Sequence, residues 1–259
     1  MLIAHLSDPH VRAGAAGAET AIGLHRALGR LLSLDPRPDC VVITGDLVEN
    51  GRPEQYDVLV DVLGEFPLPV HVVAGNHDDP ALLERRFAGT AFLGGGDRRF
   101  YALDYPDAVL VALHSPEPEG PAGRLGAEQL GWLDAMLARR PQTPALVCLH
   151  HPPMRVGIPF LDGMGLGDAE AFGEVLTAHP QVVRVLAGHI HRSVTAAFAG
   201  TVVSVAPSTY RQSTLTMRPD GPMGYLHEPA GFLLHLLNGA DCVTHLIPST
   251  HTSAVTAHF

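Results

Sequence analysis

The sequence predicts a layered α/β fold. Short apolar runs of strand length alternate with amphipathic helical patterns up to residue 191, and after it the pattern turns to β. Polar residues gather where the apolar runs stop, as expected when the carboxyl ends of strands open on one crevice.

Leu2–Leu6 is the first strand-like run, ending in Ser-Asp-Pro-His. Leu24, Leu28, Leu31 and Leu32 then recur at i, i+4, i+7 and i+8, one face of a helix. Val41–Ile43 reads as a buried strand stopped by Gly45-Asp46, and 53–65 as a helix opened by Pro53. Val70–Val73 is a third strand, stopped by Gly75-Asn76. Phe100–Leu103 and Ala108–Leu113 read as a hairpin. Residues 126–140 give the clearest helix, with Leu130, Leu133, Met136 and Leu137 on one stripe and Trp132 beside it. Ala145–Leu149 and Val182–Ala187 are further strands, with a helix near 168–178 between them. Val194–Phe198, Val202–Val205, Phe232–Leu237 and Cys242–Ile247 complete the strands. Residues 208–231 hold Pro219, Gly221, Pro222, Gly224, Pro229 and Gly231 beside Tyr210, Met217, Met223, Tyr225 and Leu226. This stretch is expected to leave the sheet as a lid or a dimer contact, which leaves a homo-oligomer open. Thr250–Phe259 reads as a frayed tail.

The 259 residues suit one domain spanning 1–259. The net charge of −10 and the lack of a basic stripe argue against long nucleic acid as a partner. An acidic chain that handles an anion needs cations of its own, and 16 His supply transition-metal ligands. Cys40, Cys148 and Cys242 form no disulfide framework, which suits a reducing, cytoplasmic setting. The N-terminus has no basic segment or long apolar segment of a signal peptide, and no run of about 18 apolar residues spans a membrane.

The strand-like runs end at Asp8-Pro-His10, Gly45-Asp46, Gly75-Asn76-His77-Asp78, His150-His151 and Gly188-His189-Ile-His191. Each fragment alone has an ordinary reading as a turn, a cap or a core histidine. Five of them at strand ends, in a consistent order, predict a convergent site. Carboxylate and imidazole together suit Zn, Mn, Fe or Co, and a shared carboxylate would hold two metals about 3.5–4 Å apart.

These blocks resemble the signature of the calcineurin-like metallophosphoesterases, over residues 8–191. Gly51-Arg-Pro-Glu-Gln-Tyr56, Gln129-Leu-Gly-Trp132-Leu and His150-His-Pro-Pro153 are similar to the bacterial class III cyclic nucleotide phosphodiesterase and glycerophosphodiesterase branch. The resemblance implies a four-layer α-β-β-α sandwich of two mixed β-sheets flanked by helices. It implies that Asp8, His10 and His191 bind one metal, that Asn76, His150 and His189 bind the other, and that Asp46 bridges both. It implies a hydroxide held between the metals as nucleophile and His77 as general acid, acting on a small phosphodiester such as a cyclic nucleotide or glycerophosphodiester. A phosphomonoesterase or nucleoside-diphosphate-linked hydrolase on the same scaffold, and a non-catalytic partner-binding scaffold, are the alternatives. His114 stands where many relatives carry an Asp. His151 is open to a substrate-side role, and Asp78 either orients His77 or caps the next helix.

Overall fold

The computed structural model describes residues 1–249, so the tail expected at 250–259 lies outside the described residues. The chain runs β1 (Leu2–Leu6), α1 (Ala18–Leu32), β2 (Cys40–Thr44), α2 (Pro53–Leu63), β3 (Val70–Val73) and α3 (Pro80–Phe87). It continues through β4 (Tyr101–Asp104), β5 (Val109–Ala112), α4 (Gly126–Ala138), β6 (Ala145–Cys148), α5 (Pro159–Asp162), α6 (Ala169–Ala178) and β7 (Val182–Ala187). β8 (Val194–Phe198), β9 (Thr201–Val205), β10 (Gln212–Ser213), β11 (Tyr225–Leu226), β12 (Gly231–Asn238) and β13 (Asp241–Pro248) follow.

Two large sheets result. One has the order β13-β12-β1-β2-β3, the other β4-β5-β6-β7-β9-β8. β1, β2 and β3 are parallel, while β12 lies antiparallel against the far side of β1 and β13 against β12. β5, β6, β7 and β9 are parallel, with antiparallel β4 and β8 at the two edges. Both sheets are therefore mixed, as the resemblance implies.

The central strands of the second sheet, β5, β6 and β7, are buried on both faces, and side-chain alternation sorts them. Leu110, Ala112, Leu146, Cys148 and Leu186 join the core between the sheets, and the same cluster continues through the first sheet to Leu24, Leu28 and Leu31 of α1 and Leu59 of α2. Val109, Val111, Val147, Val185 and Val203 turn the other way, onto Leu133 of α4 and Phe172 and Leu176 of α6. Helices thus cover the outer faces of two sheets that share a central core. Cys40 and Cys148 lie in that core as free thiols, and Cys242 is half-buried and free.

The observed elements follow the expected order, with ends that coincide or shift by one or two residues. The sequence places a helix after Asp78 without bounds, and it is α3. Its start is set by Asp79, whose carboxylate accepts from the backbone N–H groups of Ala81 and Leu82 with Pro80 at the first helical position. The 208–231 stretch leaves the sheets as a two-residue ribbon, Gln212 opposite Leu226 and Ser213 opposite Tyr225.

Candidate metal centre

All five polar blocks follow strands β1, β2, β3, β6 and β7, at the ends where parallel strands stop. The first sheet supplies Asp8, His10, Asp46, Asn76 and His77, and the second supplies His150, His189 and His191. The sheets approach so closely here that glycine is required. A Cβ on Gly45 would lie 2.5 Å from His150 Nδ1, and one on Gly188 would lie 1.9 Å from Ser7 Oγ. The backbone is strained as well. Asp8, His10, Asp46, His189 and His191 all have positive φ, between 46° and 71°, a conformation that costs a non-glycine residue about 1–3 kcal/mol. Only tertiary contacts hold such a set in place. Among them, Asp8 accepts from the His189 backbone N–H at 3.1 Å, and its carbonyl accepts from Ser208 Oγ at 2.7 Å.

Two donor groups form around Asp46. In the first, His10 Nε2 lies 3.4 Å from Asp46 Oδ2 and 3.0 Å from His191 Nε2, which lies 3.5 Å from Asp8 Oδ1. In the second, Asn76 Oδ1 lies 3.1 Å from His150 Nε2 and 3.0 Å from His189 Nδ1. His150 Nε2 is 3.4 Å from Asp46 Oδ1. Each Asp46 oxygen faces one group.

The outer ring nitrogens fix which inner nitrogen is free. His150 Nδ1–H donates to the Thr44 carbonyl at 2.7 Å, and His191 Nδ1–H donates to the Arg211 carbonyl at 2.9 Å. His10 Nδ1 faces Glu49 Oε2 at 3.0 Å, and Glu49 is held by Arg12 at 2.8 Å. The Nε2 lone pairs of these three rings then converge with the carboxylates. His189 turns Nδ1 inward, and its buried Nε2 has no hydrogen-bond partner.

The cluster's electrostatics favour positive charge. Burial opposes a charge on His10, but Asp46, Glu49 and Asp8 outweigh it and raise its pKa to about 10. Burial likewise opposes a charge on His150, and Asp46 and Asp8 raise it to about 9. Asp46 is held well below the usual carboxylate range by His150 and His10, against the effect of its burial. Burial, with the neighbouring His150 and His10, instead holds His189 and His191 below their ordinary values, and buried lone pairs 3.0–3.5 Å apart fit two transition-metal cations.

His77 stands beside the groups. Its backbone N–H donates to Asp46 Oδ1 at 2.9 Å, and its Nδ1–H donates to the Glu49 carbonyl at 2.8 Å. Nε2 is the ring nitrogen left over, and the residue lines a cavity of about 200 Å³ with Asp46, Asn76, His189 and His191.

The three open residues separate. His151 Nε2–H donates to the Pro121 carbonyl at 3.0 Å, and its Nδ1 meets Ser115 Oγ at 2.8 Å. Both nitrogens are used, and burial lowers its pKa to about 3, so it packs beside His189 as a neutral ring. Asp78 neither orients His77 nor caps α3. Its carboxylate accepts from the N–H groups of Gly75, Leu47 and Val48 at 2.8, 3.1 and 3.2 Å. His114 lines a separate cavity with Arg99, Arg124 and Gln129. Glu49 was missed by the sequence reading. Its only signal is an acid three residues past Asp46 within Leu47-Val48-Glu49, which belongs to no block.

No helix among the described residues is long and apolar enough to cross a membrane. A dimetal phosphatase from Danio rerio has a similar fold, with a TM-score of 0.68 over 96% of both chains at 17% identity. The chain is 28% identical over 260 residues to a probable glycerophosphodiester phosphodiesterase from Arcobacter nitrofigilis, covering 98% of this chain and 93% of that one. It is 33% identical over 233 residues to a probable cyclic nucleotide phosphodiesterase from a Synechococcus species, covering 88% of each. The sequence profile of the calcineurin-like phosphoesterases matches residues 1–193, the stretch that carries every residue of the two donor groups, and the chain belongs to that family.

Proposed function

We propose that the chain hydrolyses small phosphodiesters, cyclic nucleotides or glycerophosphodiesters, at a two-metal site. The observation that carries this reading is Asp46, buried between two donor groups with one oxygen toward each. Asp8, His10 and His191 hold one cation, Asn76, His150 and His189 hold the other, and Asp46 is shared. Fe, Mn, Zn and Co all suit these donors. Bound there, the pair would neutralise phosphoryl oxygens and lower the pKa of a water. The similarity to relatives named for diester hydrolysis supports a diester as substrate.

His77 acts as the general acid. Its Nδ1–H is committed to the Glu49 carbonyl, which aims Nε2 as the proton-carrying atom of the imidazolium. A diester expels an alkoxide, a poor leaving group, and a proton delivered from Nε2 removes that barrier. Glu49 contributes twice, fixing His10 through its carboxylate and His77 through its carbonyl.

The test combines a substrate panel with one variant. The metal-loaded parent is expected to turn over bis-nitrophenyl phosphate faster than nitrophenyl phosphate. His77→Ala is expected to keep both metals and to lose about 10²–10⁴-fold on alkyl or cyclic diesters. It should lose far less on the nitrophenyl diester, whose leaving group needs no proton. Faster monoester turnover in the parent overturns the diesterase reading, and equal losses on both diesters overturn the role of His77.

A further inference from the structure

Among the described residues, Phe160 and Tyr225 are the only exposed Phe, Tyr or Trp side chains, at 59% and 56% exposure. They come from unrelated elements, the short helix α5 and the strand β11 of the 208–231 ribbon. Yet both line the same cavity of about 200 Å³, whose floor is the metal centre. Pro121, Leu161 and Met164 line it with them. The Tyr225 ring lies 5.2 Å from the His191 ring, tilted by 37°. Neither aromatic is needed for the core, and both leave apolar surface in water at the mouth of the site.

We infer that Phe160 and Tyr225 are specificity residues that take a flat aromatic ring of the substrate, a nucleobase, beside the reacting phosphate. The inference rests on the phosphodiesterase reading and chooses within it. Base–aromatic stacking is sequence-tolerant and substantial, because every base offers a π-face. A polyol has no such face and gains nothing from these walls. Aromatic pairs also hold quaternary ammonium groups. Here Arg12 and Arg211, paired with Glu49 and Glu19, line a neighbouring cavity with His10, His191 and Tyr225, and the floor would itself hold two cations. That charge opposes a cationic ligand and favours a neutral ring. The ribbon carrying Tyr225 thus serves as a wall of the substrate site.

The experiment compares metal-loaded parent, Phe160→Ala, Tyr225→Ala and Tyr225→Phe on 3′,5′-cyclic AMP, glycerophosphoethanolamine and glycerophosphocholine. The parent is expected to prefer cyclic AMP. Each alanine variant should lose about ten-fold more kcat/KM on cyclic AMP than on glycerophosphoethanolamine, with the change in KM. Tyr225→Phe should restore the parent value. Titration calorimetry of AMP against glycerol 3-phosphate reads the ring subsite without turnover. AMP should bind tighter to the parent, and each alanine variant should lose that advantage. Equal losses on all substrates, an unchanged AMP advantage, or a selective loss on the choline compound overturns the inference. If the parent hydrolyses no diester, the phosphodiesterase reading fails, and the calorimetry still decides whether a ring subsite exists.

Discussion

Asp46 is the residue on which both donor groups depend. It is buried, each oxygen faces imidazole nitrogens, and it also accepts from the His77 backbone N–H. Asp46→Asn keeps the shape but removes the charge and one acceptor. It is expected to lower occupancy at both metal positions, read by metal analysis of the purified protein. Two full equivalents in the variant would remove the bridging role. Asp78 gives a contrasting case. Its carboxylate satisfies three buried backbone N–H groups at the ends of β2 and β3. Asp78→Ala leaves them unpaired, with an expected loss of about 3 kcal/mol in denaturant unfolding at unchanged m. The seven candidate ligand positions could be read from the sequence because they stand at strand ends: Asp8, His10, Asp46, Asn76 and His189 beside glycine or proline, His150 beside His151, and His191 two residues past His189. Glu49, Phe160 and Tyr225 were not legible as site residues, because nothing local marks them. Their meaning comes from which loops the sheets bring together.

At the scale of elements, β1 and β12 share a buried polar seam. His5 and His235 have no exposure, and His5 Nδ1 meets His235 Nε2 at 3.2 Å. His5 Nε2 meets Thr44 Oγ1 at 2.9 Å, and His235 Nδ1 meets Thr244 Oγ1 at 2.8 Å. Burial lowers the pKa of His5 to about 3 and drives His235 well below its ordinary value. Above about pH 6.5 both rings are neutral whether folded or unfolded, and they add no pH dependence. As pH falls below that, the unfolded chain binds protons that the folded chain refuses, and stability drops toward pH 3. His235→Met should make this decline shallower by about 1.4 kcal/mol per pH unit, measured by urea unfolding between pH 6 and 4. An unchanged slope would show that the seam does not titrate on unfolding. The strands themselves were legible as apolar runs. The bounds of α3 were not: it spans 8 residues, buries only Leu83 and Phe87 and carries three charges, too little periodicity to mark its ends. The insertion of β12 beside β1 was equally hidden, since nothing in 231–238 names its partner.

For the whole molecule, the metal centre is where two sheets meet. Asp8, His10, Asp46 and Asn76 follow strands of one, and His150, His189 and His191 follow strands of the other. Cations bound there would join the two halves and would hold five strained residues against relaxation. Chelation is expected to lower the melting temperature by about 5–10 °C, and adding back Mn, Zn or Co should restore it. A melting point that ignores chelation would mean that the sheets carry the centre without help. The strand order has a further consequence for the ribosome. β1 is made first, yet its neighbour on one side is β12, made almost last. Until 231–248 leave the exit tunnel, β1 has a partner on one edge only, and the loop bearing Asp8 and His10, though tied to residues 45–47, follows a strand that lacks β12 behind it. The centre's earliest residues are thus the last to be fully backed. A chain stopped after Ala230 should be cut rapidly near residue 10 by a nonspecific protease and should hold less metal than the full chain, although it contains all seven residues proposed as ligands.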